Sequence, residues 1–195
     1  FIGWDVDFDL RAGLAAAAAN LPIEASRESQ DACFEFITGR LQSYLLEQGA
    51  RYDVVNAVLA EQAHNPAGAA RAIRQLSQWI ARPDWVIILP AYARCVRITR
   101  DQKQTYSVDP AAFVEEAERD LYSHICAAET TLRKAGAVDE CMQAFLPVIP
   151  AINRFFEAVL VMAEEPAVRA NRLGMLQRIA ALAKGVADFS KLEGF

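Results

Sequence analysis

The 195-residue sequence has little of what catalytic, metal and membrane sites are built from. It holds four cysteines and two histidines, and it lacks Cys-x-x-Cys and His-x-x-x-His pairs, so spacing predicts no metal site and reduced thiols. It also lacks a glycine-rich phosphate loop and a Gly-x-Ser-x-Gly motif. No apolar run approaches the roughly 18 residues of a membrane span, and no signal-peptide pattern is visible. We therefore expect no catalytic residue, no metal ion and no membrane contact.

Charge is neither strongly basic nor evenly distributed. The formal net charge is −5, which argues against a DNA-binding or general nucleic-acid-binding protein, because such proteins usually carry a large basic excess. Acidic residues outnumber basic ones before residue 85, whereas the two are almost balanced after it. The sequence therefore allows a local basic patch in its second half but excludes a broad one.

Hydrophobic periodicity predicts an all-α fold. No stretch alternates apolar and polar residues between hairpin turns, so no strand is expected. A break at residues 82–84 predicts a helical connector over residues 1–83 and a helix bundle over residues 84–195. The chain starts on Phe1 in the middle of a pattern, so we expect it to be a piece of something longer. Helix N-caps are expected at Asp9, Asp53, Asp84 and Asp109.

The clearest helical pattern lies near the end of the chain. Steps of three and four predict one buried stripe, composed of Phe145, Ile149, Ile152, Phe156 and Val159. Pro166 is expected at the first position of the next helix, where proline is tolerated. The stripe of that helix comprises Leu173, Leu176, Ala180 and Ala183. A short connection between such helices predicts that they pack antiparallel to each other.

Several segments together resemble one known family. They are Asn-x-Phe-Phe-x-x-Val-x-Val-Met from Asn153, Val-Arg-x-Asn-Arg-Leu from Val168 and Ala-Asp-Phe-Ser-Lys-Leu from Ala187. Phe-Ile-x-x-Arg-Leu-x-x-Tyr-Leu from Phe36 and Val-Asp-Pro-Ala-Ala-Phe from Val108 are similar in the same way. Their order resembles the C-terminal region of the bacterial glycyl-tRNA synthetase beta subunit. The end of the chain more distantly resembles the helical, DALR-type anticodon-binding domain of arginyl-tRNA synthetase.

The resemblance implies a function that the residues alone do not reveal. It implies a helical connector followed by an anticodon-binding helix bundle, with glycine tRNA and the synthetase alpha subunit as partners. The whole enzyme would be a cytoplasmic α2β2 tetramer that works as a glycine–tRNA ligase. ATP and Mg would be used by the alpha subunit, so no cofactor is expected in this chain.

The candidate tRNA-binding residues are mostly arginines. Arg94, Arg97 and Arg100 are spaced three apart, which places them on one side of a helix. Guanidinium groups hold phosphates and stack on unpaired bases, as aromatic rings also do. The complete candidate set is Tyr92, Arg94, Arg97, Arg100, Arg154, Arg169 and Arg172.

Other interpretations of the same residues stay open. The arginines could be surface groups paired with acids such as Asp101 and Glu157, and Asn171 and Arg172 could be buried ties between helices. A crowded acidic helix is interpreted as a solvated face rather than as paired catalytic carboxylates; it carries Glu115, Glu116, Glu118 and Asp120. The domain could also belong to an arginyl-type synthetase, although the Asp-Phe-Ser-Lys-Leu ending argues against that, or it could be a non-enzymatic module that docks protein.

Overall fold

The computed structural model describes all 195 residues, and it confirms the all-α prediction with nine α-helices and no strand. No helix combines the length and the apolar character needed to cross a bilayer. The helices are α1 (Leu10–Ala19), α2 (Arg27–Glu47), α3 (Tyr52–Gln62), α4 (Pro66–Ile80), α5 (Trp85–Thr99), α6 (Glu116–Thr130), α7 (Val138–Phe145), α8 (Val148–Ala158) and α9 (Pro166–Ala181).

The chain forms two compact units. Unit 1 comprises residues 1–81, 135–138 and 185–193, and unit 2 comprises residues 82–134, 139–184 and 194–195. Two later segments of the chain therefore belong to the first unit. The division into functional domains at residues 1–83 and 84–195 stays a prediction.

Unit 1 is a serial stack in which α1 packs on α2, α2 on α3 and α3 on α4. Helix α3 lies at its centre, and Val54, Val55 and Val58 are fully buried. The returning segment 185–193 is joined to α3 by polar contacts. The backbone N–H of Asp188 donates to the carbonyl of Ala57 at 2.8 Å, and this bond holds the segment against the helix.

The predicted helix caps meet different outcomes. Asp9 caps α1 by accepting from the N–H groups of Arg11 and Ala12, and Asp109 caps a short 3-10 turn over Pro110–Ala112. Asp84 precedes α5 but makes no side-chain cap bond, because its carboxylate pairs with Arg82.

The prediction that Asp53 caps α3 is wrong. The cap position belongs to Arg51, and Asp53 lies inside the first turn, where it is buried. Burial alone would raise its pKa, but the N–H of Glu193 and the guanidinium of Arg51 outweigh burial and lower the pKa of Asp53 below its ordinary value. This carboxylate therefore ties the returning segment to α3 instead of capping a helix.

Unit 2 contains a bundle of four helices arranged as a ring. Helix α5 packs on α9 and α8, and α6 packs on α8 and α9. Pro166 opens α9 at its first turn, as predicted. The predicted antiparallel packing of α8 against α9 is wrong, because these two helices lie across the ring from each other and share no packed face. The segment 159–165 crosses between them, with Val159 and Val161 buried.

The predicted stripe of α8 is wrong at one aromatic residue. Phe155 has no exposed surface, whereas its neighbour Phe156 is half-buried. Ile149 and Ile152 are buried as predicted. Helix α8 packs against both α6 and α5, so its buried side is wider than a single stripe. Successive residues on a helix point about 100° apart, so Phe155 and Phe156 cannot both face the same neighbour. The contact with two helices places Phe155 inside and leaves Phe156 at the edge.

Candidate nucleic-acid interface

Helix α5 separates a buried apolar side from an exposed basic side. Trp85, Ile88, Leu89 and Cys95 are among its buried side chains, whereas Val86 and Ile87 of its first turn are exposed. Arg94, Arg97 and Arg100 are exposed. The spacing of three therefore brings three cations together on one side of the helix, as the sequence predicts.

Two of these arginines lie on aromatic rings. The guanidinium carbon of Arg94 is 3.9 Å from the centre of the Phe156 ring, and that of Arg97 is 5.4 Å from the centre of the Phe195 ring. A cation over an aromatic face is attracted by the ring and gains about 0.5–1 kcal/mol at an exposed site. We define the α5 arginine face as Arg94, Arg97, Arg100, Phe156 and Phe195.

The arginines of this face form no salt bridge. None of the ion pairs in the structure includes Arg94, Arg97 or Arg100. The alternative in which they pair with Asp101 or Glu157 is therefore not what the structure contains. Arg97 lies in the last turn of α5, where the helix dipole favours a cation. Their donor groups are free to bind an anion from outside the protein.

Tyr92 contacts this face only through the ring of Phe195, which it meets edge-on with 6.5 Å between ring centres. Its side chain is buried, and its hydroxyl donates to the carbonyl of Ala180 at 2.9 Å. Its ring meets that of Phe145 edge-on, with 5.9 Å between centres. Tyr92 packs α5 on α9 and thereby positions the arginines that follow it.

Arg154 and Arg169 lie elsewhere and are occupied by other contacts. The guanidinium of Arg154 pairs with the carboxylate of Asp120 on the exposed side of α8 and α6. Arg169 is half-buried, and one of its N–H groups donates to the carbonyl of Ala163 at 3.3 Å. The structure does not bring either residue into the α5 arginine face.

Arg172 is a buried residue that connects α9 to α6 and to the segment before α9. It is 7% exposed, and it donates to the Glu118 carboxylate at 2.7 Å and to the carbonyl of Leu160 at 2.9 Å. Glu118 is 1% exposed, so the solvated-face interpretation of the acidic helix is wrong at this residue. Burial alone would raise its pKa, but Arg172 and the N–H groups of Glu115 and Val114 lower the pKa of Glu118 overall. The pair therefore stays charged.

Asn171 is a second buried residue of this kind, as in the alternative in which Asn171 and Arg172 connect helices. Its side-chain oxygen accepts from the N–H of Asp109 at 2.7 Å, and its side-chain nitrogen donates to the carbonyl of Asp109 at 3.0 Å. These two bonds fix the loop before α6 to α9. Asn171 and Arg172 thus hold the bundle together from one turn of α9.

Sequence reasoning missed the aromatic half of the α5 arginine face. It assigned Phe156 to the core and gave Phe195 no role, because both are distant in sequence from the arginines that they touch. Asn153 is exposed and lies about one turn before Phe156 on α8. No local pattern predicts these neighbours, since they depend on how α8 and the chain end meet α5.

The cysteines and the acidic residues form no second candidate site of the metal or disulfide kind. No three His, Cys, Asp or Glu side chains are grouped so that they could hold a metal ion, and all four cysteines are free thiols. Burial raises the pKa of Cys95 to about 12, so this thiol stays protonated. The candidate interface is the basic, aromatic surface of α5, because its exposed arginines lie on aromatic rings.

Comparisons with known proteins found one matching domain family and several similar proteins. A family model described as the DALR anticodon binding domain matches residues 88–187. The chain is 32% identical over 193 residues to "Glycine--tRNA ligase, chloroplastic/mitochondrial 2" of Arabidopsis thaliana, covering 98% of the chain and 18% of that protein.

Two relatives named "Glycine--tRNA ligase beta subunit" are similar to the same extent. That of Moorella thermoacetica is 33% identical over 201 residues, and that of Myxococcus xanthus is 35% identical over 195 residues. They align with 98% and 96% of the chain but with only 29% and 28% of their own lengths. The chain thus spans less than a third of each relative, and the predicted resemblance to this beta subunit is confirmed.

Proposed function

The chain belongs to the DALR anticodon-binding domain family, and from this premise we propose that its α5 arginine face binds the anticodon arm of glycine tRNA. The observation that carries the proposal is a set of three exposed arginines without acidic partners, two of them lying on aromatic rings. Guanidinium planes and aromatic rings are what proteins use to hold splayed bases and the phosphates beside them.

The proposal extends to the longer protein that the relatives suggest. The chain would be the tRNA-binding part of a glycine–tRNA ligase beta subunit, working with an alpha subunit in an α2β2 assembly. ATP and Mg would act in the alpha subunit, and nothing in unit 1 or unit 2 is assigned to them.

We assign the protein to the cytoplasm; an organelle is the alternative, because the Arabidopsis relative is named chloroplastic/mitochondrial. The relatives are named as glycine–tRNA ligases, and these names favour a glycine–tRNA ligase over an arginyl-type enzyme as the longer protein.

A protein-docking module is the second candidate. Val86 and Ile87, on the first turn of α5, are 74% and 56% exposed, and exposed apolar groups favour protein contacts. Under this alternative, the chain would not bind tRNA, and the arginines would meet acidic groups of a protein partner.

Replacing Arg94 or Arg97 by alanine tests the proposed function. We expect each change to weaken binding of glycine tRNA and to lower the slope of log affinity against log salt by about 0.7–0.9 for each phosphate that is no longer neutralised. Filter binding at several salt concentrations measures both quantities. Arg74→Ala, at an exposed arginine of α4 that forms no salt bridge, is the matched control and should bind like the parent chain. Equal binding by all four proteins would contradict the proposal.

The chain alone should not catalyse ATP–pyrophosphate exchange. The reason is that its sequence contains no nucleotide-binding motif, and the proposed function leaves ATP to another subunit. The measurement uses the purified chain with glycine, ATP and labelled pyrophosphate, and a complete two-subunit synthetase serves as the positive control. Exchange that copurifies with the chain through several columns would contradict this expectation.

A further inference from the structure

Arg94 is the residue of the α5 arginine face whose guanidinium is held most closely. Its guanidinium carbon lies 3.9 Å from the centre of the Phe156 ring, which is a distance of van der Waals contact. The guanidinium carbon of Arg97 is 5.4 Å from the centre of the Phe195 ring, which is within the range of cation–ring attraction but beyond contact. Arg100 lies on no ring. Only Arg94 is therefore pressed against an aromatic side chain.

The ring that supports Arg94 is itself anchored in the core. Phe156 is half-buried, and its ring meets that of Phe155 edge-on, with 5.6 Å between centres and 75° between planes. Phe155 has no exposed surface, so this contact connects Phe156 to the interior of the bundle. The guanidinium of Arg94 is thus held by a fixed ring and not by an acidic partner that would neutralise its charge.

A guanidinium supported in this way leaves its other side open. Arg94 is exposed, and Phe156 supports only one side of the group, so solvent reaches the opposite side and the edge. Guanidinium groups are weakly hydrated and stack on flat ring systems, whereas their N–H donors point outwards from the edge. The open side therefore suits an unpaired base, and the edge suits a phosphate oxygen.

We propose that an unpaired base of the bound tRNA stacks on the open side of the Arg94 guanidinium, which then lies between the base and the Phe156 ring. Phe156 is a positioning residue in this arrangement, because a long side chain that is already held in place loses less rotamer freedom on binding. Arg100, which lies on no ring, contributes its charge alone. The inference rests on the proposed function and adds which arginine receives a base.

Arg94→Lys is the direct test, because lysine keeps the positive charge but has no flat group on which a base can stack. The parent chain and the variant are titrated with the anticodon stem-loop of glycine tRNA, either intact or with one loop nucleotide at a time replaced by an abasic nucleotide. We expect the parent to lose about tenfold in affinity when the stacked base is missing. The variant should bind the intact stem-loop about tenfold more weakly and lose nothing further at that nucleotide, as a double-mutant cycle requires for two groups that touch.

Arg100→Lys is the matched control. It makes the same change at an exposed arginine at the end of the same helix. Because Arg100 offers only its charge, this variant should keep the parent's affinity and the parent's loss at the abasic nucleotide. All three proteins should show the same slope of log affinity against log salt, since they carry the same charges.

Two changes at Phe156 test its positioning role. Phe156→Leu removes the ring beneath Arg94 but keeps an apolar side chain, so it should weaken binding of the intact stem-loop severalfold and reduce the loss at the abasic nucleotide. Phe156→Tyr keeps the ring and should retain the parent's values. A merely structural role would instead lower the affinity for all stem-loops alike and leave the loss at the abasic nucleotide unchanged. Circular dichroism checks that every variant is folded.

The outcomes separate this inference from the proposed function. If the parent chain does not bind the intact stem-loop, both fail. If the parent binds, but no abasic nucleotide lowers its affinity or Arg94→Lys keeps the parent's loss, only base stacking on Arg94 is overturned. The same behaviour of Arg100→Lys and Arg94→Lys overturns it too. An unchanged loss at the abasic nucleotide in Phe156→Leu overturns the positioning role of the ring.

Discussion

Arg172→Ala is expected to lower the free energy of unfolding by about 3–5 kcal/mol. The change leaves the Glu118 carboxylate, which is 1% exposed, without the cation that it binds at 2.7 Å. It also removes the donor that reaches the carbonyl of Leu160 at 2.9 Å. A buried charge without its partner keeps the full cost of its desolvation, which is why breaking such a pair costs more than the net value of the pair. Urea denaturation followed by circular dichroism measures the decrease.

The matched control is Arg154→Ala, in the same bundle. Arg154 also pairs with a carboxylate of α6, that of Asp120, but its side chain is 55% exposed. Exposed ion pairs contribute about 0–1 kcal/mol, so this variant should unfold close to the parent. A third variant, Arg172→Met, retains much of the side-chain volume and should be nearly as unstable as Arg172→Ala, because Glu118 is still unpaired. Equal stability of the Arg172 and Arg154 variants would mean that burial of the pair carries no energetic weight.

The ion pair of Glu118 and Arg172 could not be predicted from the sequence. Local periodicity predicted the helices, the Asp9 cap and the row of arginines, because each depends on residues within a few turns of one another. Glu118 and Arg172 are 54 positions apart. Nothing in an acidic stretch of helix distinguishes the one glutamate that a distant arginine will bury from its solvated neighbours.

The order of helices around the bundle was equally beyond local pattern. A short connection favours neighbouring antiparallel helices, yet segment 159–165 carries the chain across the ring, so α9 packs on α5 and α6 instead of α8. Phe156 and Phe195 then meet the arginines of α5 as a result of that arrangement. The sequence thus indicated the basic half of the candidate interface, and the packing of the bundle supplied the aromatic half.

Phe155→Ala is expected to cost about 3–5 kcal/mol of stability, whereas Phe156→Ala should cost only about 1–2 kcal/mol. Phe155 has no exposed surface and lies where α8 meets its neighbours, so its truncation leaves a cavity in the core. Phe156 is half-buried, and truncating it removes its partial burial and its contact with Arg94. Since a typical domain is stable by about 5–15 kcal/mol, the first change threatens folding and the second does not.

Because Phe155 and Phe156 are neighbours in the chain, their two variants are a closely matched comparison. Both residues are phenylalanines of the same helix with nearly the same sequence neighbours, so a difference in stability between the variants must come from the direction in which each ring points. Thermal and urea unfolding of both variants, measured beside the parent, give the two decreases in stability. Near-equal decreases, or a larger one for Phe156→Ala, would restore the stripe predicted by periodicity and would take Phe156 out of the α5 arginine face.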